Sequence, residues 1–202
     1  MILPDPIRIT ELVARVFEQL GIHYYIAGSI ASSLHGIPRA TYDVDIVADM
    51  KLEHVGPFVK SLKSDFYIDS EMIEDAIINS SMFNIVYLET MFKIDIFVSK
   101  EDEFSNTAMT RSQRYKLLDE SSDEISVASA EDVILHKLYW FRIGDKVAER
   151  QWADTIGVLQ VMNKDLDLDY LHKGANMLGV KDLLEQALNE AKLIQNTIVD
   201  DD

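Results

Sequence analysis

Cysteine is absent from the 202-residue chain, and so is any long apolar run. The lack of cysteine excludes a disulfide framework, a thiolate metal site and a cysteine nucleophile. No apolar stretch approaches the ~18 residues that a membrane-spanning helix requires. The first residues also lack the basic start and apolar core of a secretory signal. We therefore expect a soluble, cytoplasmic protein with no membrane partner.

Positive charge is scarce as well, because 19 Lys and Arg residues stand against 35 Asp and Glu residues. The formal net charge is −16. Broad nucleic-acid binding draws most of its affinity from Lys and Arg side chains at phosphates. The charge balance therefore argues against non-specific nucleic-acid binding.

Hydrophobic residues make up 48% of the chain, which is enough for a substantial core, and their spacing predicts an α/β fold. Helical spacing begins at Thr10 and ends at Gly21, and it returns at 53–63 and 70–79. Strand patterns cover 22–27, 43–48, 82–87 and 92–98, the last two joined by a tight hairpin connection.

The character of the sequence changes at about residue 125, where helical patterns take over. They cover 130–143, 147–162, 168–178 and 181–195. We predict an α/β part at 1–124 and a helical part at 125–202 that packs on it.

Two carboxylates lie inside a strand pattern, where Asp is normally depleted. Because side chains alternate along a strand, Asp43 and Asp45 share one face and their apolar neighbours share the other. The same alternation in 92–98 places Asp95 and Lys93 opposite the apolar residues, on a strand expected to neighbour the first. Crowded carboxylates repel one another unless a cation intervenes, and Mg²⁺ is the natural oxygen-seeking cation. The pattern favours a metal site, although a solvated sheet face would also fit Asp43 and Asp45 alone.

The turn Gly28–Ser29 separates the strand pattern at 22–27 from a short helical pattern that Gly36 and Pro38 end. Glycine lets a backbone approach a ligand closely, and a helix that begins at Ser29 presents free N–H groups and a positive dipole end to an anion. A plain turn with Ser29 as helix N-cap is the alternative. The carboxylates that follow in the sequence favour a phosphate-binding turn.

Taken together, Gly28–Ser29, Asp43–Val44–Asp45 and Asp95 resemble the signature of nucleotidyltransferases of the DNA polymerase β-like superfamily. The segment Lys93–Ile94–Asp95 is similar, more narrowly, to the Lys-hydrophobic-Asp element of AbiEii-type nucleotidyltransferases, which are toxins of abortive-infection systems. The resemblance covers roughly residues 20–160.

Further elements resemble the AbiEii type with less specificity. Arg39 lies before the Asp pair as in that type, and Lys137 lies inside a helix that resembles its third motif. Lys137 also falls on the apolar stripe of its predicted helix, and a buried lysine needs an anion or a route to water. The resemblance supplies a triphosphate as that anion. Arg150 and Asp154 match the fourth motif only loosely, because its first acidic position and its lysine are missing here.

The resemblance implies a nucleotidyltransferase fold, with a mixed β-sheet flanked by helices and a helical C-terminal region, so that 1–124 is the catalytic domain. It implies Mg²⁺-dependent transfer of a nucleoside monophosphate from an NTP to an acceptor, with release of pyrophosphate. Two Mg²⁺ ions are expected on Asp43, Asp45 and Asp95, of which Asp95 is the best candidate to draw the acceptor's proton. Nucleotide binding is expected at Gly28, Ser29, Arg39, Lys93 and Lys137.

Several alternatives stay open at this point. The acceptor is a tRNA, a protein side chain or a small molecule, and the chain could act within a toxin-antitoxin system beside a cognate antitoxin or as a homo-oligomer. A metal-dependent glycosyltransferase that uses a DxD motif is a different enzyme class, but it needs neither Gly28–Ser29 nor Asp95. A catalytically inactive binding module with a nucleotidyltransferase fold is the non-enzymatic alternative.

Overall fold

The computed structural model describes residues 6–118, 124–144 and 148–200, with side chains described for all of these except 148 and 193–200. The helices, in chain order, are α1 Pro6–Gln19, α2 Gly28–His35, α3 Leu52–Leu62, α4 Ser70–Ile78, α5 Glu103–Arg111, α6 Ala130–Ile143, α7 Ala148–Met162, α8 Leu168–Met177 and α9 Lys181–Asp200. The strands are β1 Tyr24–Ile26, β2 Asp43–Ala48, β3 Phe66–Tyr67, β4 Met82–Tyr87, β5 Phe92–Val98, β6 Gln113–Tyr115 and β7 Ile125–Val127. The architecture is therefore mixed α/β, as predicted.

Contacts divide the chain into two compact units. The first consists of Met1–Ala27 and Ala40–Ala128, and the second of Gly28–Arg39 and Ser129–Asp202. The segment Gly28–Arg39 therefore groups with the C-terminal helices, although it lies early in the sequence. The functional division at residue 124 stays a prediction.

The first unit contains a seven-stranded mixed sheet with the strand order β3-β4-β5-β2-β1-β7-β6. The strand β2 runs parallel to β5 and antiparallel to β1, and β5 runs antiparallel to β4. The strand bearing Asp95 therefore lies directly beside the strand bearing Asp43 and Asp45, as the sequence predicted.

One face of this sheet forms the core of the first unit. On β2 and β5 the residues of this face are fully buried, namely Val44, Ile46, Ile94 and Ile96. Aromatic rings extend the core, since the ring of Phe58 lies 5.1 Å from that of Phe17 and 6.4 Å from that of Phe83. Burying side chains of this size contributes roughly 1.5–3 kcal/mol each to folding. The core therefore fixes which face of β2 and β5 is buried.

The start of α1 is a correction to the sequence prediction. The helix begins at Pro6 rather than at Thr10, and Thr10 is fully buried within it. Proline suits the first turn of a helix because its missing N–H would have no intrahelical partner there. The Thr10 hydroxyl donates to the carbonyl oxygen of Pro6 at 2.8 Å, so this residue stabilises the first turn from inside.

The second unit brings α2 close to α7 at a pair of glycines. A Cβ atom placed on Gly36 would lie 2.8 Å from the backbone nitrogen of Val158 and 3.0 Å from the backbone carbon of Gly157. Backbone atoms cannot move aside as a flexible side chain can. Glycine at position 36 is therefore required by close packing.

We expect Gly36→Ala to lower the free energy of unfolding by about 1–3 kcal/mol, the usual cost of overpacking. Chemical denaturation measures this change. Gly56→Ala is the matched control, because Gly56 lies inside α3 and a Cβ atom there would meet nothing within 4 Å. The control should stabilise the protein slightly, since alanine is the better helix former. Equal effects of the two substitutions would contradict the packing argument.

None of the described helices combines the length and the apolar character that crossing a bilayer requires.

Candidate active site

Three aspartates of β2 and β5, namely Asp43, Asp45 and Asp95, lie on the sheet face opposite the core. In the register of the parallel pair, Asp45 is the partner of Asp95 and Asp43 is the partner of Lys93. Register partners on neighbouring strands share a face, and their Cβ atoms lie about 5 Å apart. Three carboxylates and one ammonium are thus placed side by side on two adjacent strands. We refer to Asp43, Asp45, Asp95 and Lys93 as the acidic cluster.

Asp95 is the buried member of the acidic cluster, with only 7% of the residue exposed. Its Oδ2 atom accepts an ion-paired hydrogen bond from Nζ of Lys93 at 2.6 Å. Its Oδ1 atom is buried, and no described residue donates a hydrogen bond to it. A buried carboxylate oxygen without a partner is costly, which marks it as a position where a cation or a donor would be favourable.

The other charges of the acidic cluster also have protein contacts. Asp43 accepts a hydrogen bond from the Thr41 hydroxyl at 2.9 Å. The hydrogen bond to the Asp95 carboxylate raises the pKa of Lys93 above its ordinary value, and the charges of Asp43 and Asp45 act in the same direction. Lys93 is therefore firmly in its charged form.

The acidic cluster can be assessed as a metal site by the chemistry of its ligand atoms. Among the described residues, no group of three or more His, Asp or Glu side chains stands ready to hold a metal ion. The donor set is nevertheless the one that Mg²⁺ prefers, since carboxylate oxygens are hard ligands. The unmatched Oδ1 of Asp95 is an acceptor that such an ion would satisfy. The type of ligand atom therefore suits Mg²⁺, and Mg²⁺ binding stays a prediction; Lys93 is held at the other oxygen of the same carboxylate.

Asn84 is a residue of this face that the sequence analysis missed. It is the register partner of Asp95 on β4, so an amide side chain lies on the other side of the buried carboxylate. Its neighbours Phe83 and Ile85 are buried, whereas Asn84 itself is half-buried. The sequence could have indicated this residue, because Asn is depleted in strands. Asn84 also alternates with apolar residues, so it falls on the polar face of the strand.

The second unit contains a separate charged group centred on Asp154 of α7. Arg39 donates from Nε to Oδ1 and from Nη2 to Oδ2 of Asp154, each at 2.8 Å. Lys137 of α6 donates from Nζ to Oδ2 of the same carboxylate at 2.7 Å. Arg39 Nη2 also donates to the Ser29 hydroxyl oxygen at 2.6 Å. The Ser32 hydroxyl of α2 also donates to Oδ2 of Asp154 at 3.4 Å. Five residues therefore form one network, the Asp154 network.

Electrostatics within this network favour the ionised carboxylate. Burial raises the pKa of Asp154, but the hydrogen bonds from Arg39 and Lys137 outweigh it, so the pKa lies below its ordinary value. The side chains of Lys137 and Asp154 are only 6% and 7% exposed. The anion that the buried Lys137 needs is thus provided by the protein itself, and its binding to a triphosphate stays a prediction.

The Gly28–Ser29 turn lies between a strand and a helix, as the sequence predicted, although the strand ends and the helix begins one residue earlier than expected. The strand β1 ends at Ile26 and α2 begins at Gly28, which has a positive φ of 56° that glycine adopts without strain. Ala27 donates a backbone hydrogen bond to the carbonyl oxygen of Asp45 at 2.8 Å, and Gly28 is the next residue of the chain. Phosphate binding at Gly28 and Ser29 stays a prediction.

The fold is similar to that of two solved proteins. An antigenic nucleotidyltransferase-like protein from Paracoccidioides brasiliensis matches with a TM-score of 0.52 and 17% identity, over 90% of this chain and 90% of its own. ANT(2″)-Ia, solved in complex with adenylyl-2″-tobramycin, matches with a TM-score of 0.52 and 9% identity, over 84% of this chain and 94% of its own. The chain has a nucleotidyltransferase fold. No protein-family model matches the chain, and no curated protein matches it.

The predicted fold class is thereby confirmed, whereas the narrower resemblance to the AbiEii type stays a prediction. Within the nucleotidyltransferase fold, the predicted metal ligands are brought together on β2 and β5 of the first unit. In the second unit Arg39 and Lys137 are brought together by Asp154 as their common partner, and Ser29 joins them by accepting a hydrogen bond from Arg39. Arg150 also lies on α7 but is exposed, and it takes no part in the contacts described for Asp154.

Proposed function

We propose that this protein transfers a nucleoside monophosphate from an NTP to an acceptor and releases pyrophosphate, in a reaction that depends on Mg²⁺. The observation that carries the proposal is the pairing of Asp45 with Asp95 across two parallel strands of a nucleotidyltransferase fold. The buried, unmatched Oδ1 of Asp95 supports it, because that oxygen has unused capacity for a cation or a proton.

Each carboxylate has a distinct part in the proposed reaction. Asp43, Asp45 and Asp95 would hold Mg²⁺, which when bound would neutralise phosphate charge and stabilise the attacking and leaving oxygens. Asp95 would accept the proton of the acceptor hydroxyl, because its carboxylate is the most buried of the three and one of its oxygens is unmatched. Asp43 and Asp45 are half-buried, and their main part would be to bind the metal ion.

The phosphate-binding residues of the proposal lie on the second unit. Gly28 and Ser29 would bind the β and γ phosphates through backbone N–H groups at the start of α2. Arg39 and Lys137 would offset phosphate charge, since together they carry one positive charge more than Asp154 neutralises. Lys93 is a further candidate for the same role.

The acceptor is one of three chemical classes: a tRNA, a protein side chain or a small molecule. ANT(2″)-Ia was solved with an adenylylated antibiotic, which supports a small hydroxyl-bearing acceptor. The resemblance of Lys93–Ile94–Asp95 to the AbiEii type instead supports a macromolecular acceptor within a toxin-antitoxin system.

The experiment that tests the proposal is incubation with each α-³²P-labelled NTP, Mg²⁺ and total cell extract, followed by separation into RNA, protein and small-molecule fractions. We expect label from one NTP to enter one fraction. The double variant Asp43→Asn/Asp45→Asn should lose transfer by ~10²-fold or more, because removal of two hard ligands removes the metal site. Asp49→Asn is the control, since Asp49 follows β2 directly and pairs with Lys51 instead.

Label in no fraction with any of the four NTPs would contradict the proposal and favour a binding module. Transfer that the double variant retains would contradict the metal site. Transfer from a nucleotide sugar, with none from an NTP, would favour the glycosyltransferase alternative.

A further inference from the structure

Lys93 is the one cation among the register-aligned residues on the polar face of the described strands β2, β4 and β5. Its Nζ lies 2.6 Å from Oδ2 of the buried Asp95. Its register partner is Asp43, and Asp45 lies across from Asp95. A single ammonium thus offsets part of the charge of three carboxylates, and it does so at an oxygen of the proposed metal ligand.

At this position the Lys93 ammonium would compete with a divalent ion for the Asp95 carboxylate. A divalent ion on Asp95 would need the carboxylate that the ammonium contacts, and two cations at one carboxylate repel each other. The Lys93 ammonium can move away from Asp95 through solvent, because the Lys93 side chain is 46% exposed. A long flexible stem can carry the charge away from Asp95 when another anion is offered.

We propose that Lys93 is a built-in counter-cation of the acidic cluster that makes metal binding depend on the triphosphate, an inference that rests on the proposed function. Before nucleotide binds, Lys93 occupies Asp95 and keeps the affinity for a free divalent ion low. The incoming phosphates offer Lys93 a new anion, so the ammonium moves to them and frees the carboxylate. Lys93 acts as a positioning residue that orders the binding steps.

The test is calorimetric titration of Mn²⁺ alone, without nucleotide, into the full chain. We expect Lys93→Met to bind Mn²⁺ ~10-fold or more tightly than the wild type, because the competing ammonium is gone. Lys93→Arg keeps the positive charge and should bind Mn²⁺ as weakly as the wild type. Lys51→Met is the matched control, since Lys51 is 44% exposed in the same unit and pairs with Asp49 and Glu101.

A second readout covers the case in which Lys93→Met folds poorly because its carboxylates repel one another. Mn²⁺ should then raise the melting temperature of Lys93→Met more than that of the wild type, since an ion that binds only the folded state stabilises it. An equal or smaller rise would overturn the inference.

The outcomes separate this inference from the proposed function. Measurable Mn²⁺ binding to the wild type, with equal or weaker binding to Lys93→Met, overturns the role of Lys93 and leaves the metal site standing. Absence of Mn²⁺ binding to both proteins overturns the role of Lys93, because removal of the ammonium should have raised the affinity, and it leaves metal binding in the presence of NTP standing. Tighter binding by Lys51→Met, to the same extent as by Lys93→Met, would show a general charge effect and overturn the inference.

Discussion

Asp95→Asn is expected to lower turnover by ~10²-fold or more while changing NTP affinity only a few-fold. The substitution keeps the size and shape of the side chain and removes its negative charge. Asp43 and Asp45 would still support nucleotide binding, but the acceptor would lose the group that takes its proton. Steady-state kinetics of label transfer, together with calorimetric NTP titration, separate the two effects.

The control for this prediction is again Asp49→Asn, which removes a carboxylate outside the acidic cluster and should leave both quantities unchanged. Thermal melting checks that Asp95→Asn is folded, because Asp95 is buried and pairs with Lys93. Turnover close to that of the wild type would make the third carboxylate structural and would contradict its assigned role.

Asp154→Ala is expected to lower the free energy of unfolding by about 3 kcal/mol, because it leaves the buried ammonium of Lys137 without an anion. Arg39 is 27% exposed at its side chain, so part of its charge would be hydrated by water and its share of the loss is smaller. Chemical denaturation at neutral pH measures the change.

The pH dependence of this loss follows from the lowered pKa of Asp154. A carboxyl group whose pKa is lower in the folded state contributes stability above its unfolded pKa of ~3.9. That stability is lost as the pH falls through the folded value. The difference between wild type and Asp154→Ala should therefore be full at pH 7 and shrink below about pH 4.

Asp182→Ala is the control, since Asp182 pairs with Arg142 in the same unit but is 70% exposed at its side chain. Exposed ion pairs contribute little to stability, so we expect a small change. A loss for Asp154→Ala no larger than that for Asp182→Ala would contradict the importance of burial in the Asp154 network.

The two strands that carry the acidic cluster could be predicted, because the alternation of polar and apolar residues is enough to identify a strand. The predicted strands 43–48 and 92–98 match β2 and β5, and the predicted core face is the buried one. Alternation does not define register, however, because many offsets bury the same apolar face. The pairing of Asp45 with Asp95 therefore needed the structure, and so did the place of Asn84.

The Asp154 network could not be predicted for a different reason. Its partners Arg39 and Asp154 lie 115 positions apart, and no local pattern connects them. The sequence did predict that Lys137 is buried and needs an anion, but it offered a triphosphate rather than Asp154. The predicted start of α1 at Thr10 was wrong, because Pro6 begins the helix four residues earlier.

The most direct test of nucleotidyl transfer compares the same NTP labelled with ³²P at the α or at the γ phosphate, incubated with the purified protein, Mg²⁺ and the acceptor fraction. The proposed reaction breaks the bond between the α and β phosphates. It therefore predicts that α label enters the acceptor and that γ label is released as pyrophosphate. Label on the acceptor from the γ-labelled NTP, or release of γ label as free phosphate alone, would contradict nucleotidyl transfer.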